Sequence, residues 1–400
     1  MTVLQPHTVR PAASRAAVTE RPGRIALCDF DVGDVAAGAV LMRVSLSGVC
    51  GTDKHTFRGE SKQYAGTPNE RDIHYPLICG HENVGSVLET GGDVYATDGT
   101  LLRPGDRIVP GADVVCGSCF FCKNGYPYYF CARLDDYGNS LHCERSPYLL
   151  GGWAEYMFIL PGTPIFRVPD DLPDEVAVFA EVMAVTHGLE IAQNILGMFG
   201  GNRSGGSVAV LGTGPLGVSH IAKAAMLGAS TLIATDLFPQ RLRFAEEFGV
   251  TRTFDASETT MEERVALTRE ATDGLGPEIV VDCSGIPSTF VEALRMVRMG
   301  GVVIEVGTFV DMGPVSVNPN IDFCTRNVTV VGIGGETAQS YTPLMRAMAA
   351  RLDRYPFERI VTHRMPLEHT EQAVVTAQRG ESMKVVIDPW AMDDVERPLR

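Results

Sequence analysis

The sequence predicts an α/β domain built on a parallel sheet and inserted between the two parts of a β-rich domain. Three observations predict it. From Ile25 to about Pro169, short apolar runs are broken by Gly, Pro and Asp, the pattern of short antiparallel strands joined by turns. From Ser207 to Val331, strand-length apolar runs alternate with helix-length stretches, which requires a parallel sheet with crossover helices. From Ile360 to Ile387 the short-strand pattern returns around one helix. The expected boundaries are 1–183 for the first β-rich part, with 1–24 as a tail, 184–337 for the inserted domain and 338–400 for the second β-rich part. A chain of 400 residues suits two or three domains of ~100–200 residues each.

The elements follow in order. Ala39–Leu46, Val84–Leu88, Arg107–Pro110 and Trp153–Ile159 read as strands, with a turn at Arg103–Asp106. Val176–Ile195 is largely apolar and reads as one helix at a domain junction. Then come strand Ser207–Leu211, helix Leu216–Leu227, strand Thr231–Thr235 and helix Gln240–Phe248. Strand Ile279–Asp282, helix Ser288–Val297, strands Gly301–Val306 and Val328–Val331, and helix Tyr341–Asp353 complete the inserted region and its exit. The only low-complexity stretch is Gly200–Gly206.

Composition narrows the function. With 34 basic and 49 acidic residues the net charge is −15, which repels a phosphate backbone and argues against nucleic acid as a partner. No apolar run approaches the ~18–20 residues of a membrane helix, so no membrane is expected. The N-terminal residues carry basic side chains but no apolar stretch of signal-peptide type. Ten cysteines in a long chain without a secretory signal point to a reducing cytoplasm and to metal binding where thiols cluster.

Two motifs carry chemistry by themselves. Val208–Gly217 is a strand running into a Gly212-x-Gly214-x-x-Gly217 turn and then a helix. Gly212 permits the tight turn, Gly214 lets a pyrophosphate approach, Gly217 lets helix and strand pack, and the helix N-terminus offers N–H groups to phosphate. Asp236 closes the next strand 19 residues after Gly217, where a carboxylate binds ribose hydroxyls. The second motif is Cys116-x2-Cys119-x2-Cys122-x8-Cys131. Four thiolates close a tetrahedral shell and leave no open position, which fits a structural zinc. A third constellation is dispersed: Cys50, Thr52 and His55, then His81 and Glu82, then Glu181. Cys50, His81 and a carboxylate would make a mixed zinc shell with room for substrate. Spacing alone equally allows a core thiol, a satisfied histidine and solvated carboxylates.

Taken together, Gly48-Val-Cys-Gly-Thr-Asp53, Gly80-His-Glu82, the four-cysteine lobe, Pro104-Gly-Asp-Arg-Ile108, Gly152-Trp-Ala-Glu-Tyr156, the Gly212 fingerprint, Val281-Asp-Cys-Ser-Gly285 and Lys384-Val-Val-Ile387 resemble the zinc-dependent medium-chain dehydrogenases/reductases. Within that family the polyol and threonine dehydrogenase branch is nearest. The resemblance runs from about residue 25 to 388. It implies a Rossmann domain, doubly wound on a parallel sheet, inserted in a GroES-like catalytic domain. It also implies two Zn²⁺ per chain and NAD. Cys50 and His81 would be catalytic zinc ligands, with Glu82 and Glu181 as carboxylates that ligate directly or through water. Thr52 and His55 would form a proton relay. Pro215, Leu216, Asp236 and Arg241 would contact the cofactor, and Val306, Gly307, Thr308, Ile333, Gly334 and Gly335 would pass the nicotinamide. Substrate would be a small alcohol or ketone, and the assembly a homo-oligomer, tetramer before dimer, joined in the region of Gly301–Val306 and Val315–Val317.

The family pattern is departed from in three places. The last cysteine gap is one residue longer than usual. Val182 follows Glu181 where the branch has proline. The Cys50–His81 segment is lengthened and carries Arg58, Lys62, Arg71, Asp72 and His74, which suit either a polar substrate or a solvated loop. The expected activity is reversible NAD-linked oxidation of a secondary alcohol to a ketone, or of a primary alcohol to an aldehyde. The secondary alcohol would be a polyol, sugar derivative or hydroxylated metabolite. Two alternatives are a zinc-free NADPH-dependent quinone or enone reductase of the same fold, and a non-catalytic zinc-stabilised binding module.

Overall fold

The structure, a computed structural model, describes residues 10–60, 62–198, 206–397 and 399. The chain forms two compact units. One comprises Met1–Glu181, Thr337–Leu352 and Phe357–Arg397; the other is built on Val182–Glu336.

The first unit is β-rich because its apolar residues alternate over short runs between turn residues. Its main sheet has the strand order Ile165–Arg167, Arg107–Pro110, Asn83–Thr90, Val40–Gly48, Lys384–Asp388, Val361–Pro366 and Val395–Glu396, with Tyr156–Ile159 also pairing with Val40–Gly48. The strand Lys384–Asp388 thus returns from the far end of the sequence to lie antiparallel beside Val40–Gly48, with Val386 opposite Gly48. This brings the start of the return strand next to Cys50. A core of buried Val40, Leu41, Met42, Trp153, Phe158 and Ile387 holds the sheet.

The expected tail at 1–24 is corrected. Ala13–Arg21 is a strand, paired with Arg24–Asp31 and with Leu77–Ile78. Ala16, Ala17 and Val18 are buried in the core. Ser, Arg and Thr interleaved with alanines gave this segment little hydrophobic signal; pairing and tertiary burial decide it. Residues 1–9, and most of the Gly200–Gly206 stretch, lie outside the described residues.

The second unit holds a six-stranded parallel sheet. Its order is Arg252–Asp255, Thr231–Asp236, Ser207–Leu211, Ile279–Asp282, Val302–Glu305 and Thr329–Gly332, the third, second, first, fourth, fifth and sixth strands of the unit in chain order. That is the Rossmann order, in which the first and fourth strands diverge at a switch point. Strands such as Val208–Leu211 and Ile279–Asp282 are buried on both faces, as parallel strands between helices must be.

The junction segment is not one helix. Asp174–Ala177, Ala180–Ala184, a 3₁₀ turn Val185–His187 and Gly188–Met198 follow one another. Thr186 Oγ1 donates to the Met183 carbonyl at 2.7 Å and the His187 ring engages the Ala184 carbonyl at 3.2 Å, side-chain bonds that tighten the backbone at the break. Strand Arg252–Asp255 and helix Met261–Glu270 were not expected. The helix has little apolar surface, but a Thr260–Glu263 capping box starts it.

Candidate active site and metal centres

Gly48 ends a central strand, and the chain turns into helix Gly51–Arg58 with Cys50 at its N-cap. The neighbouring strand begins just after Gly80-His81-Glu82. Sheet pairing therefore brings Cys50, His81 and Glu82 together, with one ligand atom of each within 4.8 Å of the others. Gly48 is required here, since a Cβ would lie 2.0 Å from Glu82 Oε2. Asp53 is fully buried and accepts from the Cys50 N–H at 2.8 Å and the Gly80 N–H at 3.4 Å, so it fixes both ligand-bearing turns. Its Oδ1 also lies 3.9 Å from His81 Nδ1.

Charge in this cluster is unbalanced in favour of a cation. Burial works against a charged His81, yet Cys50, Asp53 and Glu181 outweigh it and raise the His81 pKa well above its ordinary value. Lys384 reaches the same spot. Its Nζ donates to Glu82 Oε1 at 2.7 Å and Oε2 at 2.6 Å, with both side chains buried. Burial alone would lower the Lys384 pKa; the Glu82 and Cys50 charges reverse this. A thiolate, an imidazole and nearby carboxylates form a donor set that zinc fits. Glu181 is buried and acts electrostatically on His81 and Lys384, but it is not within the close cluster of ligand atoms.

Thr52 Oγ1 lies 4.0 Å from Cys50 Sγ. His55, one helical turn on, is half-buried and has Glu60 Oε2 and Arg58 Nη2 each 3.1 Å from its Nδ1. Burial and the Arg58 charge lower its pKa, so the ring is neutral at neutral pH.

The four-cysteine lobe converges as its spacing predicts. Sγ atoms of Cys116, Cys119, Cys122 and Cys131 lie within 4.8 Å of one another, and all four thiols are free of disulfides. Cys119 and Cys122 sulfurs are 3.5 Å apart, near the ~3.8 Å edge of a tetrahedron with ~2.3 Å zinc–sulfur bonds. The Ser118 backbone N–H, against the opposing effect of burial and with help from the Cys119 N–H, lowers the Cys116 pKa to about 5. A thiolate is thus favoured before any metal arrives. The last gap contains a 3₁₀ turn, Tyr128–Phe130.

In the lengthened segment, Lys62–Gln63 and Arg71–Asp72 pair as a hairpin that docks on the cysteine-lobe exit. Arg71 donates to Asp136 Oδ1 at 3.1 Å and to the Leu134 carbonyl at 2.8 Å, and Asn69 Nδ2 donates to the Cys131 carbonyl at 2.8 Å. Lys62 pairs with Glu70 at 2.8 Å. These charges are engaged within the protein.

In the second unit, the glycines meet close neighbours. Gly212 has φ +85°, and a Cβ on Gly217 would lie 1.9 Å from the Gly212 carbonyl oxygen. Gly214 caps helix Pro215–Met226, Pro215 is its first residue, and Leu216 follows. Asp236 is buried; its Oδ2 accepts from Thr213 N–H at 2.6 Å and Thr213 Oγ1 at 3.0 Å, and its Oδ1 accepts from Phe238 N–H at 2.9 Å. The Arg241 guanidinium lies over the Phe238 ring, 5.1 Å from its centroid, and near Gly214. Val306, Gly307 and Thr308 leave the strand Val302–Glu305, and Ile333, Gly334 and Gly335 leave Thr329–Gly332, all at carboxyl ends of parallel strands. A Cβ on Gly307 would lie 2.7 Å from the Gly285 nitrogen, so these loops are closely apposed.

Residues 36–170 match the family model for the alcohol dehydrogenase GroES-like domain, and residues 215–350 that for the zinc-binding dehydrogenase. An alcohol dehydrogenase of Thermus sp. ATN1 is 30% identical with a TM-score of 0.73, covering 94% of this chain and 99% of that one. The chain belongs to the zinc-dependent medium-chain alcohol dehydrogenases. A 5-exo-hydroxycamphor dehydrogenase of Pseudomonas putida is 28% identical, covering 94% of this chain and 98% of that protein. A sorbitol dehydrogenase of Gallus gallus is 29% identical, covering 93% and 95%. This family member is therefore an oxidoreductase acting on CH–OH groups, with zinc and a nicotinamide dinucleotide as cofactors.

Sequence reasoning did not give Lys384 or Asp53 a role in the site. A lysine opening an apolar run, Lys384-Val-Val-Ile387, was the available signal, because a buried lysine requires a partner.

Proposed function

We propose an NAD-dependent alcohol dehydrogenase that interconverts a secondary alcohol and its ketone, the alcohol being a polyol, sugar derivative or hydroxylated metabolite. The convergence of Cys50, His81 and Glu82 beside Thr52 carries this reading. When bound, zinc supplies a Lewis acid and the dinucleotide a two-electron acceptor. Cys50 and His81 hold the catalytic zinc, while Cys116, Cys119, Cys122 and Cys131 hold a structural one. Glu82 lies within the ligand cluster and also accepts from Lys384 with both oxygens, so it serves as a charge partner, and Glu82 or Glu181 completes the shell directly or through water. Thr52 receives the alcohol proton, and neutral His55 is the base that passes it outward.

Asp236 favours NAD. It ends the second strand of the sheet, and each oxygen of a carboxylate accepts about two hydrogen bonds, which leaves Oδ1 free to take a ribose hydroxyl. A 2′-phosphate would remove that donor and oppose the charge. Loss of one hydrogen bond to a charged group, about 1.5–3 kcal/mol, gives roughly 10- to 150-fold discrimination. Arg241 packs for the adenosine. A panel of secondary alcohols and sugar derivatives, assayed with NAD⁺ and NADP⁺ by absorbance of the reduced cofactor, tests the reading. Asp236→Ser is expected to narrow the preference; equal catalytic efficiency of the wild type with both cofactors overturns the assignment.

Assembly is proposed as a homotetramer, dimer otherwise, in a cytoplasmic setting. The pairing edge needs one revision. Val302–Glu305 is bonded on both sides, so the strand offered for pairing is Thr329–Gly332, with exposed Val330, Val315 and Ile321.

A further inference from the structure

Outside these sites, His74, His142 and Glu144 gather in the β-rich unit with one ligand atom of each within 4.8 Å of the others. The two imidazoles stack, with centroids 4.2 Å apart and 12° between ring planes. Glu144 Oε2 lies 3.9 Å from His74 Nε2. His142 Nδ1 is buried and has no hydrogen-bond partner. A neutral imidazole carries one lone pair, and a buried ring nitrogen without a partner is costly.

The backbone holds the cluster in place. The Pro76 carbonyl accepts from the Cys143 N–H at 3.2 Å and from the Cys143 thiol at 3.3 Å. Segment 74–76 is thereby tied to segment 142–144. His74 and Glu144 are exposed and turn at little cost, whereas His142 is half-buried and anchors the set.

We propose that His74, His142 and Glu144 form a further binding site for a divalent d-block cation such as Zn²⁺, distinct from the cysteine lobe and from the Cys50–His81 cluster. Two imidazoles and a carboxylate are a ligand set for Zn²⁺, with positions left for water. Occupancy would cross-link the end of the lengthened 62–75 segment to the loop after the cysteine lobe. Each ring would bind through a nitrogen lone pair.

Purified holoenzyme is titrated with ZnCl₂ by calorimetry at about pH 7.5, above the ~6.5 of an ordinary histidine, with bound metal counted before and after. Wild type is expected to hold one equivalent more than His74→Ala and than the double variant His74→Ala/His142→Ala. The comparison is a difference between wild type and variants, so it does not depend on the occupancy of the other two sites. His74 is exposed, and circular dichroism checks that the variants fold. Equal metal content in wild type and both variants overturns the proposal.

Discussion

Lys384 and Glu82 show how one residue pair sets the charge of a site. Removing one partner of such a pair strands a buried charge at a cost of about 3–5 kcal/mol, so the pair behaves as one unit and Glu82 is not free to leave it. His55 works in the opposite way, through a depressed pKa. Burial and Arg58 keep its ring neutral, so it accepts a proton over most of the working range, and its acidic limb falls below the ~6.5 of a free histidine. His55→Ala is expected to slow alcohol oxidation by up to ~10²–10⁴-fold, less where water substitutes. Cofactor affinity should stay intact, and an unchanged pH–rate profile removes His55 from the relay.

A second charged pair sits in the dinucleotide-binding unit. Asp282 and Glu305 are register partners on adjacent parallel strands. Asp282 takes the Ser284 N–H and the Thr289 hydroxyl, and Glu305 Oε1 takes the Thr308 N–H and hydroxyl. Glu305 Oε2 is buried with no hydrogen-bond partner, and burial raises the pKa of Asp282 as well. Burial, then Asp282, raises the Glu305 pKa to about 7. A folded pKa raised above the unfolded one stabilises fully below the ordinary carboxylate pKa of ~4.3 and is lost as pH rises through about 7. Glu305→Gln keeps the acceptor for Thr308 and cannot titrate. Denaturant midpoints across that pH window are expected to fall for the wild type relative to Glu305→Gln; parallel curves refute the raised Glu305 pKa.

Elements differ in how they hold metal. In the cysteine lobe four sulfurs lie within 4.8 Å of one another, on a short helix and the loops around it. The Cys50–His81 cluster joins the ends of two sheet strands and offers one thiol, one imidazole and a carboxylate. Mild chelation is therefore expected to remove about one zinc per chain first, with activity lost and circular dichroism retained. Loss of both metals together, with unfolding, contradicts the separation into catalytic and structural sites. The same scale explains what periodicity misread. The segment 176–195 is apolar throughout, so no period distinguished one helix from a broken series. Ala13–Arg21 was hidden because its strand character comes from its partners.

For the assembly as a whole, an edge strand with exposed apolar neighbours invites pairing with a second copy, and closed symmetry covers it. Light scattering at micromolar concentration is expected to give a tetramer or a dimer. A monomeric mass refutes assembly through Thr329–Gly332. No helix among the described residues is long and apolar enough to cross a membrane.

The sequence by itself determined the parallel sheet, the glycine turn, the cysteine lobe and the identity of Cys50, His81 and Glu82 as a candidate set. Each is a local pattern: a strand period, a turn that needs glycine, thiols at short spacing, or a motif resembling a family. Tertiary structure alone decided what those residues meet. Lys384 lies 302 residues from Glu82 in the chain, and only the return strand's place beside Val40–Gly48 makes them partners. His74 and His142 are likewise brought together by loops whose lengths carry no period. Long-range pairing of this kind leaves no local trace, because burial and register, not neighbouring residues, fix the contact.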